Sequence, residues 1–353
     1  MSANTALSLI QQLEAGQLLS RANAEAVMAE LLSGRMETAE IVRFLRALNA
    51  RPVLVSELAG FASVMRRHAA CVFADGESRP ERMIDTCGTG GDGFDAFNIS
   101  TAAAVVAAAA GARVAKHGNR AASSRSGSAD VLEALGVRVD LPCPRVGVAI
   151  RELGIGFLFA QTAHAAARHA APARKLIASR TVFNLLGPLT NPAAAQAQVL
   201  GVFSAEVIDV MSATLVELGI MRAFVVHGAG GLDEISLAGE TLVAEVFDGK
   251  IKRYTVAPED FGVARAPLEA IRGGSPVENA AIIQQTFAGE CGPRRDIIVI
   301  NAAAALVAAG VAGNFREGAE LAARTLSSGA AHEKLSALKK FTNAPAGYNH
   351  GFL

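Results

Sequence analysis

The sequence predicts an α/β protein in two parts, a small N-terminal all-helical domain followed by a larger α/β domain with a mainly parallel central sheet. Three observations carry this expectation. The first ~70 residues show apolar positions at helical spacing and no strand signal. From Arg82 onward, short apolar runs alternate with loops and helices, the pattern of parallel strands covered by helices. With 353 residues, 51% of them hydrophobic, the chain is too long for most single cores and apolar enough to fill two.

In the helical part, Leu7, Ile10 and Leu13 share one face. Ala26, Met28, Leu31 and Leu32 form a second stripe, and Ile41, Phe44, Leu45 and Leu48 a third; Gly34, Pro52 and Gly60 punctuate them. After the polar stretch 74–80, Met83–Cys87 reads as the first strand. A glycine-rich loop follows, then an alanine-rich helix from Thr101 to Ala110, which Gly111 is placed to end in a left-handed conformation. Arg113–Lys116 reads as the second strand. Gln198–Phe203, Ala223–His227 and Asp296–Ile300 read as further strands, and Thr241–Tyr254 as an antiparallel hairpin turning at Asp248 and Gly249. The longest apolar run, Ile297–Gly313, falls short of the ~20 residues of a membrane span and is broken by Asn301; a buried strand and a buried helix explain it.

Charge is balanced, 33 Lys plus Arg against 33 Asp plus Glu, so no general field favours nucleic acid or an anionic membrane, and any anion affinity must be local. The four cysteines, Cys71, Cys87, Cys143 and Cys291, are widely spaced, which suits reduced thiols in a cytoplasm rather than zinc or a disulfide framework. The opening residues carry neither the basic nor the apolar region of a signal peptide.

Local anion affinity is offered first at Gly88–Gly93, GTGGDG. The motif matches a dinucleotide loop literally. However, no helix follows directly, and the position ~20 residues on, where an acidic group should meet the ribose, is basic. No Gly-Lys-Ser/Thr of a nucleotide-triphosphate loop follows either. The glycines still let backbone N–H groups approach an anion, and Asn98-Ile99-Ser100-Thr101 opens a helix whose N-terminus adds free N–H groups. N-capping is the plainer reading of Asn98 and Ser100. The stretch 116–130 then places Lys116, His117, Gly118, Asn119, Arg120, Ser123, Ser124, Arg125 and Ser128 just past a strand end, where α/β sheets bind ligands. Two such loops on neighbouring strands would face one crevice, one for a pyrophosphate and one for a phosphate. Asp233-Glu234 follows a strand in a glycine-rich loop; beside a polyphosphate the pair becomes a magnesium candidate, and otherwise it solvates a turn. His227 has no ligand partner at metal spacing and reads as structural. Arg174 is either surface charge or a fork for a carboxylate.

Taken together, GTGGDG with NIST, KHGNRAASSRSGSAD, RTVFNLLGPLTNP and VVHGAGGLDE resemble, in order and essentially end to end, the anthranilate phosphoribosyltransferase family. The resemblance implies a nucleoside phosphorylase/phosphoribosyltransferase-like fold with a helical domain at 1–72 plus about 168–187, an α/β domain at 73–167 and 188–353, and an active site in the cleft between them. It implies transfer from 5-phosphoribosyl-1-pyrophosphate (PRPP) to anthranilate, two Mg2+ per subunit, and a homodimer binding neither nucleic acid nor membrane. Residue by residue, it places Gly88, Gly91, Asp92, Asn98, Ile99, Ser100, Thr101, Lys116, His117, Gly118, Asn119, Arg120, Ser123, Ser124 and Ser128 at PRPP. Ser100 and Glu234 would take one metal ion, with Asp233 and Glu234 on the second; Gly88, Asn119, His164, Arg174 and Gly187 line the acceptor path. Lys116, Arg174, Asp233 and Glu234 are the catalytic candidates. Two features depart from the family pattern: Ala96 stands where a Thr is usual, and 161–167 (QTAHAAA) keeps only His164 of a PxHHPAM stretch. The rivals are a transferase for another aromatic amine, a pyrimidine nucleoside phosphorylase and a nucleic-acid-binding relative.

Overall fold

The computed structural model describes residues 3–74, 76–91, 93–121 and 124–345. The chain opens with α1 (Ala3–Glu14), α2 (Arg21–Leu32), α3 (Thr38–Asn49) and α4 (Val55–Arg67). The stripes read from the sequence turn inward: Ile10, Leu13, Met28, Leu31, Ile41, Phe44 and Leu45 are each at most 3% exposed, and Phe44 meets Phe61 edge to face at 5.7 Å. The most deeply buried carboxylate among the described residues of this core is satisfied. Glu57 accepts from Arg51 and from the N–H groups of Leu19 and Leu54, each at 3.0 Å, which offsets its desolvation.

There follow β1 (Ile84–Gly88), α5 (Ile99–Ala109), β2 (Val114–Gly118), α6 (Ser128–Ala134), α7 (Cys143–Leu153), β3 (Ile155–Phe159), α8 (Ala160–Ala163), α9 (Ala171–Ile177), α10 (Phe183–Leu189), β4 (Ala197–Gly201), α11 (Ile208–Glu217) and β5 (Arg222–His227). The hairpin of β6 (Thr241–Phe247) and β7 (Lys250–Val256) precedes α12 (Pro258–Phe261), α13 (Pro276–Phe287), α14 (Pro293–Ala308), α15 (Phe315–Ser327) and α16 (Ala330–Asn343). Its turn needs two positive φ values, which Asp248 (48°) and Gly249 (74°) supply. The helix after β1 ends as foreseen, with Gly111 at φ 105°.

One seven-stranded sheet runs β3-β2-β1-β4-β5-β6-β7, parallel from β3 to β5 and antiparallel across the hairpin. Gly88 pairs with Gly201 and Gly118 with Phe159, so the carboxyl ends of the parallel strands share one edge. Strand order reverses between β1 and β4, the position at which such sheets open a crevice. On one side, α5 and α14 fill the core. On the other, Leu200, Val225 and Val246 bury against Met211 and Leu215 of α11, in a cluster shared with α2, α3, α4 and Ala173, Phe183 and Leu186 of α9 and α10. Among the described residues, no helix is long and apolar enough to cross a membrane.

The sequence reading needs two corrections. Asp296–Ile300 is not a strand; it lies inside α14, one continuous helix. A helix buried on all sides has no polar face, so a short apolar run does not distinguish it from a strand. Conversely, β3 went unread because its five residues are all buried and show no alternation.

Candidate active site

The acidic pair organises the crevice. Gly90, at φ 64°, donates its N–H to Asp233 Oδ2 at 2.8 Å, and a Cβ on Gly88 would collide with the same oxygen. Glu234 Oε1 accepts from the N–H of Ser100, in the first turn of α5, at 3.0 Å. The two adjacent carboxylates therefore tie down the glycine loop and the helix N-terminus, two elements whose N–H groups and dipole favour anions. Asn301 of α14, which in the sequence only interrupted an apolar run, holds this acidic loop. Its Oδ1 accepts from Ile235 N and its Nδ2 donates to Ile235 O, both at 3.0 Å.

Lys116, 4% exposed on β2, donates through Nζ to Thr86 O and reaches Ser100 Oγ at 3.5 Å. Burial lowers its pKa, against the opposing charges of Asp85, Cys87 and Glu234. Desolvation, then the neighbouring Asp233, push Glu234 up to about 8. Asp85, behind Lys116, is raised by burial to about 6; it accepts from His117 N at 3.0 Å and Asn191 Nδ2 at 2.8 Å, and so joins β1, β2 and the NP segment.

The acidic pair, the glycine loop, the start of α5 and Lys116 face one cleft of about 360 Å³. Gly88, Gly91, Asn98, Ile99, Ser100, Thr101, Lys116, His117, Gly118, Asn119, Arg120, Ser124, Ser128, Arg174, Gly187, Asp233 and Glu234 all line it; Asp92 and Ser123 lie outside the described residues. The cleft also takes in Ala96, so no hydroxyl is offered there. Four of the expected positions are placed as follows. Asn98 stands at the N-cap of α5 without a side-chain capping bond. Ser100 lies inside α5, and its backbone N–H is taken by Glu234. The Arg120 guanidinium is held by Glu133 at 2.6 Å and Asp130 at 3.0 Å, at the outer wall. His164 does not line the cleft; it sits behind, edge to face with His117 at 5.1 Å. Both rings are buried, and desolvation depresses them to about 3 for His117 and about 4 for His164, so both are neutral at pH 7.

Arg174, on α9, stands half-buried over the Phe183 ring at 5.3 Å. Desolvation lowers its pKa, and it pairs with no carboxylate among the described residues. Arg180, which opens the RTVFN motif, stands beside the cleft in a role that sequence reasoning missed. It donates to Gly91 O, lies 4.2 Å over Phe203, and its own carbonyl accepts from Asn49 Nδ2 at 2.7 Å. A larger open hollow of about 500 Å³ between α1 and α3 is lined by Arg43, Arg46 and Arg51, of which Arg43 pairs with Glu14 and Arg51 with Glu57.

Residues 7–69 match the helical bundle domain of the glycosyl transferase family, and residues 80–332 match its a/b domain. An anthranilate phosphoribosyltransferase of Symbiobacterium thermophilum is 49% identical over 95% of this chain and 97% of its own. One from Anaeromyxobacter dehalogenans is 51% identical over 96% and 98%. The crystal structure of the Thermus thermophilus anthranilate phosphoribosyltransferase superposes with a TM-score of 0.90 at 47% identity, covering 95% of this chain and 99% of that one. The Saccharomyces cerevisiae enzyme in complex with PRPP and Mg superposes at 0.88 with 28% identity, covering 97% and 98%. The chain therefore belongs to the glycosyl transferase family, among its anthranilate phosphoribosyltransferases.

Proposed function

We propose that the protein transfers the phosphoribosyl group of PRPP to the amine of anthranilate, releasing pyrophosphate and forming N-(5-phosphoribosyl)anthranilate for L-tryptophan biosynthesis. The observation that carries the reading is the Asp233-Glu234 pair binding both anion-accepting elements beside buried Lys116. In the reaction, the bond from ribose C1 to the pyrophosphate oxygen breaks and a bond from C1 to the amine nitrogen forms. The amine then gives up a proton to solvent.

The donor set fits Mg2+. Ser100 and Glu234 would hold one ion, and Asp233 and Glu234 a second. Among the described residues no three acidic, His or Cys side chains gather, which suits an ion completed by substrate oxygens. Burial and the adjacent Asp233 raise Glu234 to about 8, and a cation there would offset both. Bound there, Mg2+ would neutralise the departing pyrophosphate.

The chain's own residues bind and aim the substrates. Lys116 and the N–H groups of the glycine loop and α5 face the pyrophosphate, and Asn119, Ser124 and Ser128 the rest of PRPP. Arg174 grips the anthranilate carboxylate beside Gly187 and His117. His117 is a buried ring at this wall, neutral at pH 7, and its Nε2 has no partner among the described residues. Anthranilate nitrogen is neutral at pH 7, so positioning and electrostatics carry the rate without a strong base. His164 supports His117 from behind. The reading includes domains at 1–72 with about 168–187 and at 73–167 with 188–353, a homodimer, and a cytoplasm, to which the four unpaired thiols are suited. The test is consumption of anthranilate fluorescence with PRPP and Mg2+. Phosphorolysis of a pyrimidine nucleoside, with no anthranilate consumed, would count against it.

A further inference from the structure

Asn98 lines the cleft, and a residue far along the chain determines how it is aimed. Its Oδ1 accepts from Ser126 Oγ and from Asn279 Nδ2, both at 3.0 Å, while its Nδ2 donates to Ser126 O at 3.1 Å. Two donors on one oxygen fix which way round the amide sits, and one N–H of Nδ2 is left over. Asn279 lies in the first turn of α13, is 1% exposed, and does not line the cleft. Its own Oδ1 is taken by Gly274 N–H at 2.7 Å. The segment before it runs alongside the stretch between the glycine loop and α5: Phe97 N donates to Ile271 O at 3.3 Å, and Gly273 N to Asp95 O at 2.7 Å. The approach needs Gly273, since a Cβ there would stand 2.5 Å from Phe97 N and 2.6 Å from Asn279 Oδ1.

We propose that Asn279 is a positioning residue of the phosphoribosyl site, setting the Asn98 amide so that its N–H, and not its carbonyl, meets the anionic donor. This deepens the PRPP reading and rests on it. Asn279→Asp keeps the shape and the acceptor for Gly274 but replaces the donor to Asn98 with an acceptor, so the Asn98 amide must turn over against Ser126 O. In the full chain, the calorimetric Kd for PRPP with Mg2+ and the KM for PRPP should rise about tenfold or more. The KM for anthranilate should stay within about two-fold. Asn279→Ser, too short to reach Asn98, provides the same reading with a milder change should the aspartate not fold. Unchanged PRPP binding in either folded variant overturns the role of Asn279. So does an equal loss for both substrates, which marks general disorder. Failure of the parent protein to bind PRPP would sink the site reading itself, and normal parent binding separates the two failures.

Discussion

Gly90 donates its backbone N–H to Asp233 Oδ2 at 2.8 Å across 143 positions of sequence. This contact joins the loop after β1 to the loop after β5, and through Glu234 and Ser100 the second of those loops reaches α5 as well. The acidic pair thus shapes the two elements proposed to hold the anion, in addition to being the carboxylates proposed for a metal ion. Asp233→Asn and Glu234→Gln keep the shape but leave no carboxylate to ionise against a metal ion. Each should lower kcat/KM by about ten- to a hundred-fold, the range for a lost interaction with a charged group. Raising Mg2+ should recover part of the loss. Titration of activity against Mg2+ checks this, and two variants with the parent's magnesium dependence would remove the pair from the mechanism.

The glycine loop makes a second test with Arg180. Gly91 sits at φ 77°, and a Cβ there would stand 3.1 Å from the Arg180 guanidinium that holds its carbonyl. Gly91→Val should abolish measurable PRPP binding in a protein that still folds, because a β-branched residue is strained in that region. Arg180→Ala leaves the loop chemistry intact and releases its outer clamp. Its PRPP KM should rise by about three- to tenfold, the modest effect of an exposed charged contact. Calorimetry of PRPP binding separates the two, and normal binding by Gly91→Val would place the anion elsewhere.

Burial of the two histidines predicts a pH signature. His164 is depressed from 6.5 to about 4, so the unfolded chain binds the proton more readily. The neutral ring's contribution is fully present above pH 6.5 and is lost as pH falls toward 4. Asp85 and Glu234, both raised, act with the opposite sign and cancel in a comparison between variants. The stability of the parent minus that of His164→Gln should therefore shrink between pH 6.5 and about 4. Urea unfolding at several pH values measures the difference; a constant gap would show that His164 is not held neutral by the fold.

The sequence made two walls of the cleft legible because they are written in contiguous segments, GTGGDG and the stretch from Lys116 to Ser128, each at the end of a strand. It was silent on residues that act by reaching across the fold. Asn301, Asn279 and Arg180 carry ordinary polar side chains in stretches whose local pattern is helical or apolar, and only tertiary contacts bring them to Ile235, Asn98 and Gly91. His164 shows the reverse. Its motif placed it at the acceptor path, and packing set it one layer back, behind His117. The misread strand at Asp296–Ile300 has the same origin, since full burial erases the polar face that separates a helix from a strand.

Arg174 is the group proposed to select the acceptor. It lies half-buried at the cleft, over Phe183 at 5.3 Å, and desolvation lowers its pKa with no carboxylate among the described residues to offset the cost. A guanidinium left in that position suits an anionic ligand, and anthranilate carries one carboxylate ortho to its amine. A bidentate grip there fixes the ring and directs the nitrogen toward C1. Arg174→Ala should weaken anthranilate use by about 1.5–3 kcal/mol, the range for a hydrogen bond to a charged group, or roughly ten- to a hundred-fold in kcat/KM. PRPP binding should change little, because Lys116 and the two loops that hold it are untouched. Arg174→Lys keeps the charge but not the fork and should recover only part of the loss. Aniline, lacking the carboxylate, should be a poor substrate for parent and variant alike. Equal anthranilate kinetics in Arg174→Ala and the parent would defeat the carboxylate grip and leave the choice of acceptor to another part of the cleft.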